Sequence, residues 1–289
     1  MASQLTGTGT FIYEEDWAET LQAQLDEPNK WKEFCDVVYT KFYTLNNPYH
    51  TDATVQTNER GTPYTYQLVS QTNQSVNINV SRILPQFIDR ATLSQSTYAS
   101  QMEMAKRQGV LIDEAIESYI YQLHASYTDF TNVDIGGGAG SITVSASNVD
   151  DVCRGLLREI RQANGQSLLE RHGAFIVWNP SDFEKVEAFA QANGFNSADK
   201  YLKDGAGAVR GVHYFGIDHY TSNLLVATHA LGGVKKSIFL GINTDLYGQV
   251  MIDDKDPSQR SGVSVVSRVD FGVTVWNNLI PVIFDIAVA

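Results

Sequence analysis

The most informative passage of this 289-residue sequence is Ala174-Phe-Ile-Val-Trp-Asn-Pro-Ser-Asp-Phe-Glu-Lys-Val186. Its first five residues, 174–178, are all apolar and stand before a turn signal, which is typical of a short buried strand. Ser181 is followed three residues later by Glu184, and this capping box predicts a helix that ends at Asn193-Gly194. The passage therefore predicts a buried strand that leads directly into a helix.

The regions on either side add another helix and a strand-rich end. Before the passage, Ser147 with Asp150 three residues later predicts a helix that runs to about Ala163. After it, residues 209–289 are rich in strand signals. Apolar and polar residues alternate most clearly at Val263, Val265, Val269, Phe271, Val273 and Val275. The second half of the chain is therefore predicted to mix helices and strands.

The beginning of the chain carries helical patterns. Residues 14–44 show two apolar stripes at helical spacing, and Pro28 separates them. The first stripe is Trp17, Leu21 and Leu25, and the second is Phe34, Val37, Val38 and Phe42. We expect two short amphipathic helices that pack on the body of the protein or on a neighbouring chain.

Residues 50–82 are polar and rich in strand-forming residues. Apolar and polar residues alternate in two runs, at Tyr64, Tyr66 and Leu68 and at Val76, Ile78 and Val80. The turn candidates are residues 58–61 and 71–74. This pattern predicts an extended hairpin. Because such a ribbon buries little apolar surface of its own, we expect it to require a partner surface.

A long helix and a glycine-rich linker complete the first half. Apolar residues recur at three- and four-residue spacing over residues 92–124, which predicts a helix of about 32 residues and about 50 Å. The glycines in 136–140 predict a hinge between two lobes. The order of elements therefore predicts an α+β protein.

Composition and charge narrow the function. A content of 43% hydrophobic and 19% charged residues is typical of folded proteins. The net charge of −12 argues against a dedicated nucleic-acid reader, so any contact with DNA should be local and weak. Cys35 and Cys153 suggest thiols, with a disulfide as the less favoured alternative. Neither a membrane-spanning apolar run nor a secretory signal is recognisable.

We find no motif for catalysis, metal binding or cofactor binding in the sequence. HExxH, CxxC and GxSxG are absent, and the glycines of 205–211 are wrongly spaced for a dinucleotide fingerprint. His213 and His219 would lie about 20 Å apart on one regular strand, too far to share an ion. We therefore predict no catalytic residue, no metal ligand and no cofactor.

Four passages, in this order, resemble the major capsid proteins of tailed bacteriophages of the Hong Kong 97 type. Residues 147–160 (SNVDDVCRGLLREI) are similar to the helix that opens the axial domain of that family, and 174–186 resemble its strand, Asn-Pro turn and helix. Residues 211–223 (GVHYFGIDHYTSN) look like its passage from a glycine into a strand, and 270–283 (DFGVTVWNNLIPVI) resemble its closing strands. The predicted hairpin and long helix precede them in the expected order.

The resemblance implies a Hong Kong 97-like fold in five segments. Residues 1–47 would be the N-terminal arm, 48–90 the extended loop, 91–144 the peripheral domain with its spine helix, 145–245 the axial domain, and 246–289 the return strands of the peripheral domain. The implied function is structural rather than enzymatic. The chain would be a major capsid protein that assembles into hexamers and pentamers of an icosahedral or prolate head around double-stranded DNA.

The resemblance also implies partners and a location. The chain would bind copies of itself, a separate scaffolding protein and a portal, and it would contact packaged DNA weakly, with no membrane involved; a decoration protein stays an open point. It would assemble in the host cytoplasm and reside in the virion capsid. Two alternatives stay open: an encapsulin-like nanocompartment, and a hydrolase with a non-sequential site that pairs Asp218 with His213 or His219.

The extended loop is the expected place of inter-subunit contacts. The candidates are Arg60, Tyr64, Tyr66, Arg82 and Arg90, with ordinary solvated surface as the alternative for the arginines. Some members of the family crosslink covalently through a lysine in this loop. Because residues 46–90 contain no lysine, we expect a non-covalent shell.

Overall fold

The computed structural model describes residues 29–50, 52–57, 59–61, 63–89, 99–130, 140–192, 201–203, 209–246, 250–253 and 262–289. Its α-helices are α1 (Trp31–Phe34), α2 (Ala99–Gln122), α3 (Val149–Gln162), α4 (Gln166–His172) and α5 (Pro180–Ala192). Its strands are β1 (Cys35–Thr40), β2 (Thr44–His50), β3 (Gln71–Asn77), β4 (Val80–Asp89), β5 (Thr128–Asp129), β6 (Ala174–Trp178), β7 (Tyr201–Lys203), β8 (Val209–Tyr214), β9 (Ile217–Thr221), β10 (His229–Val234), β11 (Ile238–Asn243), β12 (Val250–Asp253), β13 (Gly262–Val275) and β14 (Ile283–Ala287). Within these ranges, 3-10 turns span Leu123–Ser126 and Ile280–Val282.

A seven-stranded mixed sheet, in the order β5-β14-β10-β6-β9-β8-β7, organises the second half. Its central strand β6 is buried along its whole length, because both faces of the sheet are covered. Ala174, Ile176 and Trp178 contribute to a core with α3 and α5. Phe175 and Val177 contribute to a second core on the other face, which contains α2. Covering on both faces explains why β6 is a continuous apolar run rather than an alternating one.

A second, five-stranded sheet is built around the long strand β13. One edge of β13 pairs with β4, and the other edge pairs first with β12 and then with β11. Strand β1 pairs in parallel with the outer edge of β11. Val269 and Phe271 of β13 pack in the same core as Ile116 of α2, so this sheet and the seven-stranded sheet share one core with the spine helix.

The helix expected around Phe34, Val37, Val38 and Phe42 is wrong. Phe34 ends the four-residue helix α1, and Val37 and Val38 lie in β1, whose partner β11 lies about 200 positions later in the chain. The β-branched and aromatic residues of this run suit a pleated strand, and tertiary pairing overrides a helical spacing only a few residues long. The first predicted helix, with Trp17, Leu21 and Leu25, lies outside the described residues.

The predicted hairpin exists, but its arms are displaced. Strand β2 pairs with β3 in antiparallel register, with Leu45 opposite Val76, so the first arm begins at Thr44 and not near Tyr64. The turn expected at 71–74 is wrong because these residues lie within β3. A turn at Arg60-Gly61 agrees with the other candidate, and Gly61 supplies its positive φ of 98°.

The long helix and the strand-helix unit are confirmed, with shifted starts. Helix α2 continues into the 3-10 turn that contains His124, while residues 92–98 lie outside the described ranges. Helix α5 begins at Pro180, and the carbonyl of Asn179 accepts the first helical hydrogen bonds. The capping box at Ser181 and Glu184 is therefore wrong, since both residues lie inside the helix.

Sheet membership departs from the predicted five-segment division. Strand β11, inside 145–245, pairs in the five-stranded sheet, and β14, inside 246–289, pairs in the seven-stranded sheet. Strand β1, inside the predicted arm 1–47, is part of the body. The division itself stays a prediction about subunit anatomy.

Both cysteines are buried free thiols, and burial raises the pKa of each. None of the helices in the described ranges combines the length and apolar character that crossing a membrane requires.

Candidate assembly surface

Among the described residues, one segment of the chain carries the exposed large apolar side chains. We call β2, β3 and the described residues between them the loop ribbon. Across the described ranges, all exposed large apolar side chains lie between Tyr39 and Phe87, and most belong to this ribbon or its flanks. Val55 is 96% exposed and Leu68 is 99% exposed. A folded monomer gains nothing from such exposure, so the ribbon is the leading candidate for a contact surface.

The root of the ribbon is seated on a pair of glycines. Gly241 of β11 and Gly272 of β13 are register partners. A Cβ on Gly272 would overlap the carbonyl oxygen of Asn77, and a Cβ on Gly241 would lie 2.9 Å from Leu45 Cδ1. The backbone of β3 can therefore lie directly on the five-stranded sheet, and Val76 becomes buried there.

Beyond β2 and β3, the ribbon is held by side chains rather than by a backbone ladder. The Gln67 amide oxygen accepts a hydrogen bond of 2.8 Å from the Thr54 N–H, and its Nε2 donates one of 2.9 Å to the Thr54 carbonyl. These bonds link the outgoing and returning legs. They leave the neighbouring apolar side chains free to face outward.

The structure places three of the predicted contact residues on the ribbon. Tyr64 and Tyr66 are 64% and 82% exposed, their rings meet edge to face at 5.2 Å, and their hydroxyls are 3.2 Å apart. That hydrogen bond raises the pKa of Tyr66. Arg60 is exposed at the turn. All three are accessible to a neighbouring chain.

The two other candidates differ. The Arg82 guanidinium lies 5.6 Å from the centroid of the Tyr119 ring, so it contacts the spine helix of its own chain. Arg90 lies outside the described residues. Phe42, Val55 and Val69 are exposed by 74%, 96% and 68% and were not predicted as contact residues. For Val55 and Val69, the available signal was a large apolar residue in a segment with little core-forming pattern.

Gln108 connects the base of the extended loop to the spine helix. Its Nε2 donates hydrogen bonds of 2.9 Å to Gln86 Oε1 and 3.3 Å to the Val265 carbonyl. Its Oε1 accepts a bond of 2.5 Å from the Ser267 hydroxyl. This fully buried amide therefore joins β4, α2 and β13, and it fixes where the loop leaves the body.

Glu117 makes a comparable junction on the next turns of α2. Its carboxylate accepts bonds from the Lys30 N–H at 2.6 Å, the Tyr121 hydroxyl at 2.7 Å and the Ser222 hydroxyl at 3.2 Å. Burial raises the pKa of Glu117, and these hydrogen bonds offset part of the rise. The residue ties the start of the described chain to the spine helix and to the end of β9.

The residues of the hydrolase hypothesis lie on a tight hairpin. The expected separation of His213 and His219 is wrong because the chain turns at Phe215-Gly216, where φ is 53° and 75°. Strands β8 and β9 pair His213 with Asp218, at 2.5 Å between Nδ1 and Oδ1. The Lys235 ammonium also binds Asp218. The arrangement is an ion pair that closes the hairpin.

The charge state of Asp218 agrees with its role as the acceptor for Lys235 and His213. Burial raises the pKa of this carboxyl, but the hydrogen bonds from Lys235 and His213 lower it more, so the net shift is downward. Asp218 therefore stays ionised at neutral pH, and Lys235 also donates to the Tyr220 hydroxyl at 3.2 Å.

His219 points into the core instead. Its Nδ1 accepts a bond of 3.0 Å from the Trp178 indole, and its Nε2 lies 3.9 Å from Cys153 Sγ. Burial lowers the pKa of His219 to about 4. The imidazole is therefore neutral and structural, and it does not form a pair with Asp218.

A third group of side chains could hold a metal ion. His124, His229 and Asp285 place one ligand atom each within 4.8 Å of one another. Their spacing in sequence gave no signal, because the 3-10 turn after α2 and the strands β10 and β14 bring them together.

No protein-family model matches the sequence, and no curated protein matches it. Solved structures do. A capsid structure of cyanophage P-SCSP1u is 14% identical, with a TM-score of 0.66 over 96% of this chain and 93% of that chain. A chain of Mycobacterium phage Che8 is 12% identical, with a TM-score of 0.68 over 96% and 97%. A capsid chain of Ralstonia phage GP4 is 10% identical, with a TM-score of 0.62 over 100% and 99%.

These similarities extend over nearly the full length of each pair of chains, and they include the helices and the strands. The α+β class expected from the sequence is therefore confirmed. This chain has the Hong Kong 97-like fold of tailed-phage capsid chains.

Proposed function

We propose that this chain is the major capsid protein of a tailed bacteriophage, a structural subunit and not an enzyme. It assembles into hexamers and pentamers that form an icosahedral or prolate head around double-stranded DNA. The fold supports this proposal, and the single observation that carries it is the loop ribbon. Its root is seated on the body, while five large apolar side chains beyond the root are exposed: Val55, Tyr64, Tyr66, Leu68 and Val69.

The ribbon gives a physical reason for assembly. A side chain such as Leu68 or Val55 gains about 1.5 to 3 kcal/mol when an interface removes it fully from water. The ribbon can bury these side chains by lying across the next subunit. Because the ribbon and the surface it covers are different, the contact is heterologous, and a heterologous contact that closes makes a ring.

The net charge of the subunit limits its contact with DNA. A subunit with a net charge of −12 repels phosphate, so its contact with packaged DNA is weak and non-specific. A separate scaffolding protein and a portal direct assembly in the host cytoplasm. The mature subunit resides in the virion capsid.

Negative-stain electron microscopy of the purified protein, alone and with its co-expressed scaffold, tests the proposal. Closed shells or hexameric rings are the expected result. A uniform population of monomers under every condition would contradict it. Closed shells that co-purify with peptide-tagged enzymes and contain no DNA would instead favour an encapsulin-like compartment.

A further inference from the structure

Two histidines and an aspartate converge where the spine helix meets the seven-stranded sheet. His124 lies in the 3-10 turn after α2, and His229 and Asp285 lie on the neighbouring strands β10 and β14. The Nδ1 of His229 is 2.9 and 3.0 Å from the two carboxylate oxygens of Asp285, and the Nδ1 of His124 is 3.3 Å from Oδ2. Both imidazoles therefore present the same ring nitrogen to one carboxylate.

These distances fit the edges of a metal coordination shell. Ligand bonds of about 2.0 to 2.1 Å in tetrahedral geometry place neighbouring ligand atoms about 3.3 Å apart. The two imidazole rings lie 4.0 Å apart between centroids with an interplanar angle of 35°. Their Nδ1 atoms converge, because both are within 3.3 Å of a carboxylate oxygen of Asp285. An ion could replace the protons now shared between these groups with only a small adjustment of the side chains.

The backbone around the cluster is well fixed. Strand β14 holds Asp285 between β10 and β5, and the Asp285 carbonyl accepts the Phe130 N–H at 2.9 Å. The side chain of Asn179 donates to the His229 carbonyl at 3.2 Å. Asp129 occupies the position beside Asp285 in the register of β5, which adds a second carboxylate to the neighbourhood. A preformed, acidic setting of this kind favours a cation.

The ligand types select the kind of ion. Imidazole nitrogens suit zinc and other divalent transition metals, whereas magnesium and calcium prefer oxygen ligands alone. The side chains of His124 and His229 are 29% and 24% exposed, so solvent can reach the site and supply a further ligand. Within the described ranges, both ion pairs of Asp285 are with these histidines.

We propose that His124, His229 and Asp285 form a binding site for one divalent transition metal ion of the zinc class. Three protein ligands leave a position for water. Because the ligands come from the end of the spine helix and from two sheet strands, a bound ion ties these elements together. This inference does not depend on the capsid function.

The test is a titration of the full-length protein after chelator treatment and dialysis. Zn²⁺ binding is followed by calorimetry, and Co²⁺ binding by the visible absorption that appears when imidazole and carboxylate replace water. We expect one ion per chain and a rise in melting temperature with Zn²⁺. A folded wild-type protein that shows no saturable binding of either ion overturns the proposal.

Variants assign the binding to this cluster. His229→Gln should weaken Zn²⁺ binding by more than about tenfold, since it removes a direct ligand. The matched control is His213→Gln, which removes another histidine that is paired with a carboxylate and should bind as the wild type does. If His229→Gln does not fold, His124→Gln on the half-buried turn replaces it. Equal affinity in the ligand variant and the control would refute the site.

Discussion

At the scale of single residues, His219 determines part of the response to acid. Its imidazole is neutral in the fold because burial lowers its pKa to about 4, whereas an unfolded chain titrates near 6.5. The unfolded state therefore binds more protons between these two values, and stability falls as the pH falls through that window. The loss attributable to this residue is roughly 3 kcal/mol.

Urea denaturation at pH 7 and at several lower pH values, for wild type and His219→Gln, measures this effect. Gln cannot ionise but can still accept the hydrogen bond of Trp178. We expect the wild type to lose more stability than the variant between pH 6.5 and about 4. His172→Gln, at an exposed helix end, controls for the general effect of replacing a histidine. Parallel pH curves for wild type and His219→Gln would show that another group is responsible.

Glu117 offers a second residue-scale prediction. Glu117→Ala leaves the buried Lys30 N–H and two hydroxyls without their acceptor, which should cost at least about 3 kcal/mol of unfolding free energy. Glu117→Gln keeps an acceptor for that N–H, and its amide can donate to the hydroxyls. We expect the Gln variant to cost less than about 1.5 kcal/mol.

The pH dependence checks the cause of the Glu117 effect. Since burial raises the pKa of Glu117 in the folded state, the stability linked to that shift is lost as the pH rises through the folded pKa. The Gln variant should therefore improve relative to wild type as the pH rises. A constant difference across that range would contradict a buried, desolvated carboxylate.

The environments of single residues were only partly predictable from the sequence. The apolar run of β6 correctly predicted that Trp178 lies in a buried strand. The environment of His219 could not be predicted, because it requires Trp178 from β6 and Cys153 from α3 at the same point. Likewise, nothing in the sequence distinguishes Glu117 from other acidic residues on a helix. Its burial depends on Lys30 and Ser222, which are distant in sequence.

At the scale of elements, the glycine pair under the ribbon leaves no room for a side chain. Gly272→Ala places a Cβ against the Asn77 carbonyl, so the backbone of β3 must move. We expect a cost of about 1 to 3 kcal/mol and a loss of regular shells even where the monomer folds. Gly109→Ala is the matched control, because a Cβ there meets open space. In a helix this control should be neutral or stabilising by up to about 1 kcal/mol.

Unfolding midpoints and electron micrographs of both glycine variants provide the measurement. If Gly272→Ala assembles into shells of wild-type size and shape, the glycine pair does not set the direction in which the ribbon leaves the body.

Exposed apolar residues on the returning leg of the ribbon should separate assembly from folding. Tyr66→Ser with Leu68→Ser removes two side chains that are 82% and 99% exposed, so the monomer should keep its melting temperature. The same change removes apolar surface from the proposed interface and should lower the yield of shells by tenfold or more, since about 1.4 kcal/mol corresponds to a factor of ten.

Sedimentation of assembly reactions, with circular dichroism of the unassembled variant, measures both quantities. Ser70→Ala, on the same leg of the ribbon, serves as the control substitution. Normal shell yield from the double variant would show that the returning leg is not part of the interface.

Elements were predictable where their signal is local. Helix α2 follows from the spacing of apolar residues, strand β13 from alternation, and strand β6 from its continuous apolar run. Strand β1 was assigned to a helix because its partner β11 is far away in sequence, and a short apolar run fits either period. The arms of the hairpin were displaced for a related reason. Val76 belonged to the predicted alternation, but its partner Leu45 lies against Gly241 of β11, and no local pattern reveals that contact.

At the scale of the whole molecule, the order of elements identified the fold better than any single motif did. The hairpin, the long helix, the strand-helix unit and the closing strands occur in the sequence in the order in which the structure connects them. The arrangement of the two sheets was not predictable, because β11 and β14 each join the sheet that their position in the chain did not suggest.

A property of the assembled particle also follows from the whole loop. Residues 46–90 contain no lysine that could form an isopeptide bond from the ribbon. Mature particles boiled in denaturant should therefore run as a single monomer band on a gel. A ladder of covalent oligomers would contradict this prediction. The intact particles, by contrast, should sediment as shells before denaturation.

The pairing of β1 with β11 has a consequence for the synthesis of the protein. Cys35 pairs with Ile238, so β1 leaves the ribosome about 200 residues before its partner. At roughly 5 to 20 residues per second, that interval is on the order of 10 to 40 s. The glycine pair under the ribbon is completed only by Gly272 in β13, so the ribbon is translated long before the surface that holds its root exists. During that time each nascent chain exposes an unpaired strand and the apolar side chains of the ribbon to neighbouring nascent chains on the same messenger RNA.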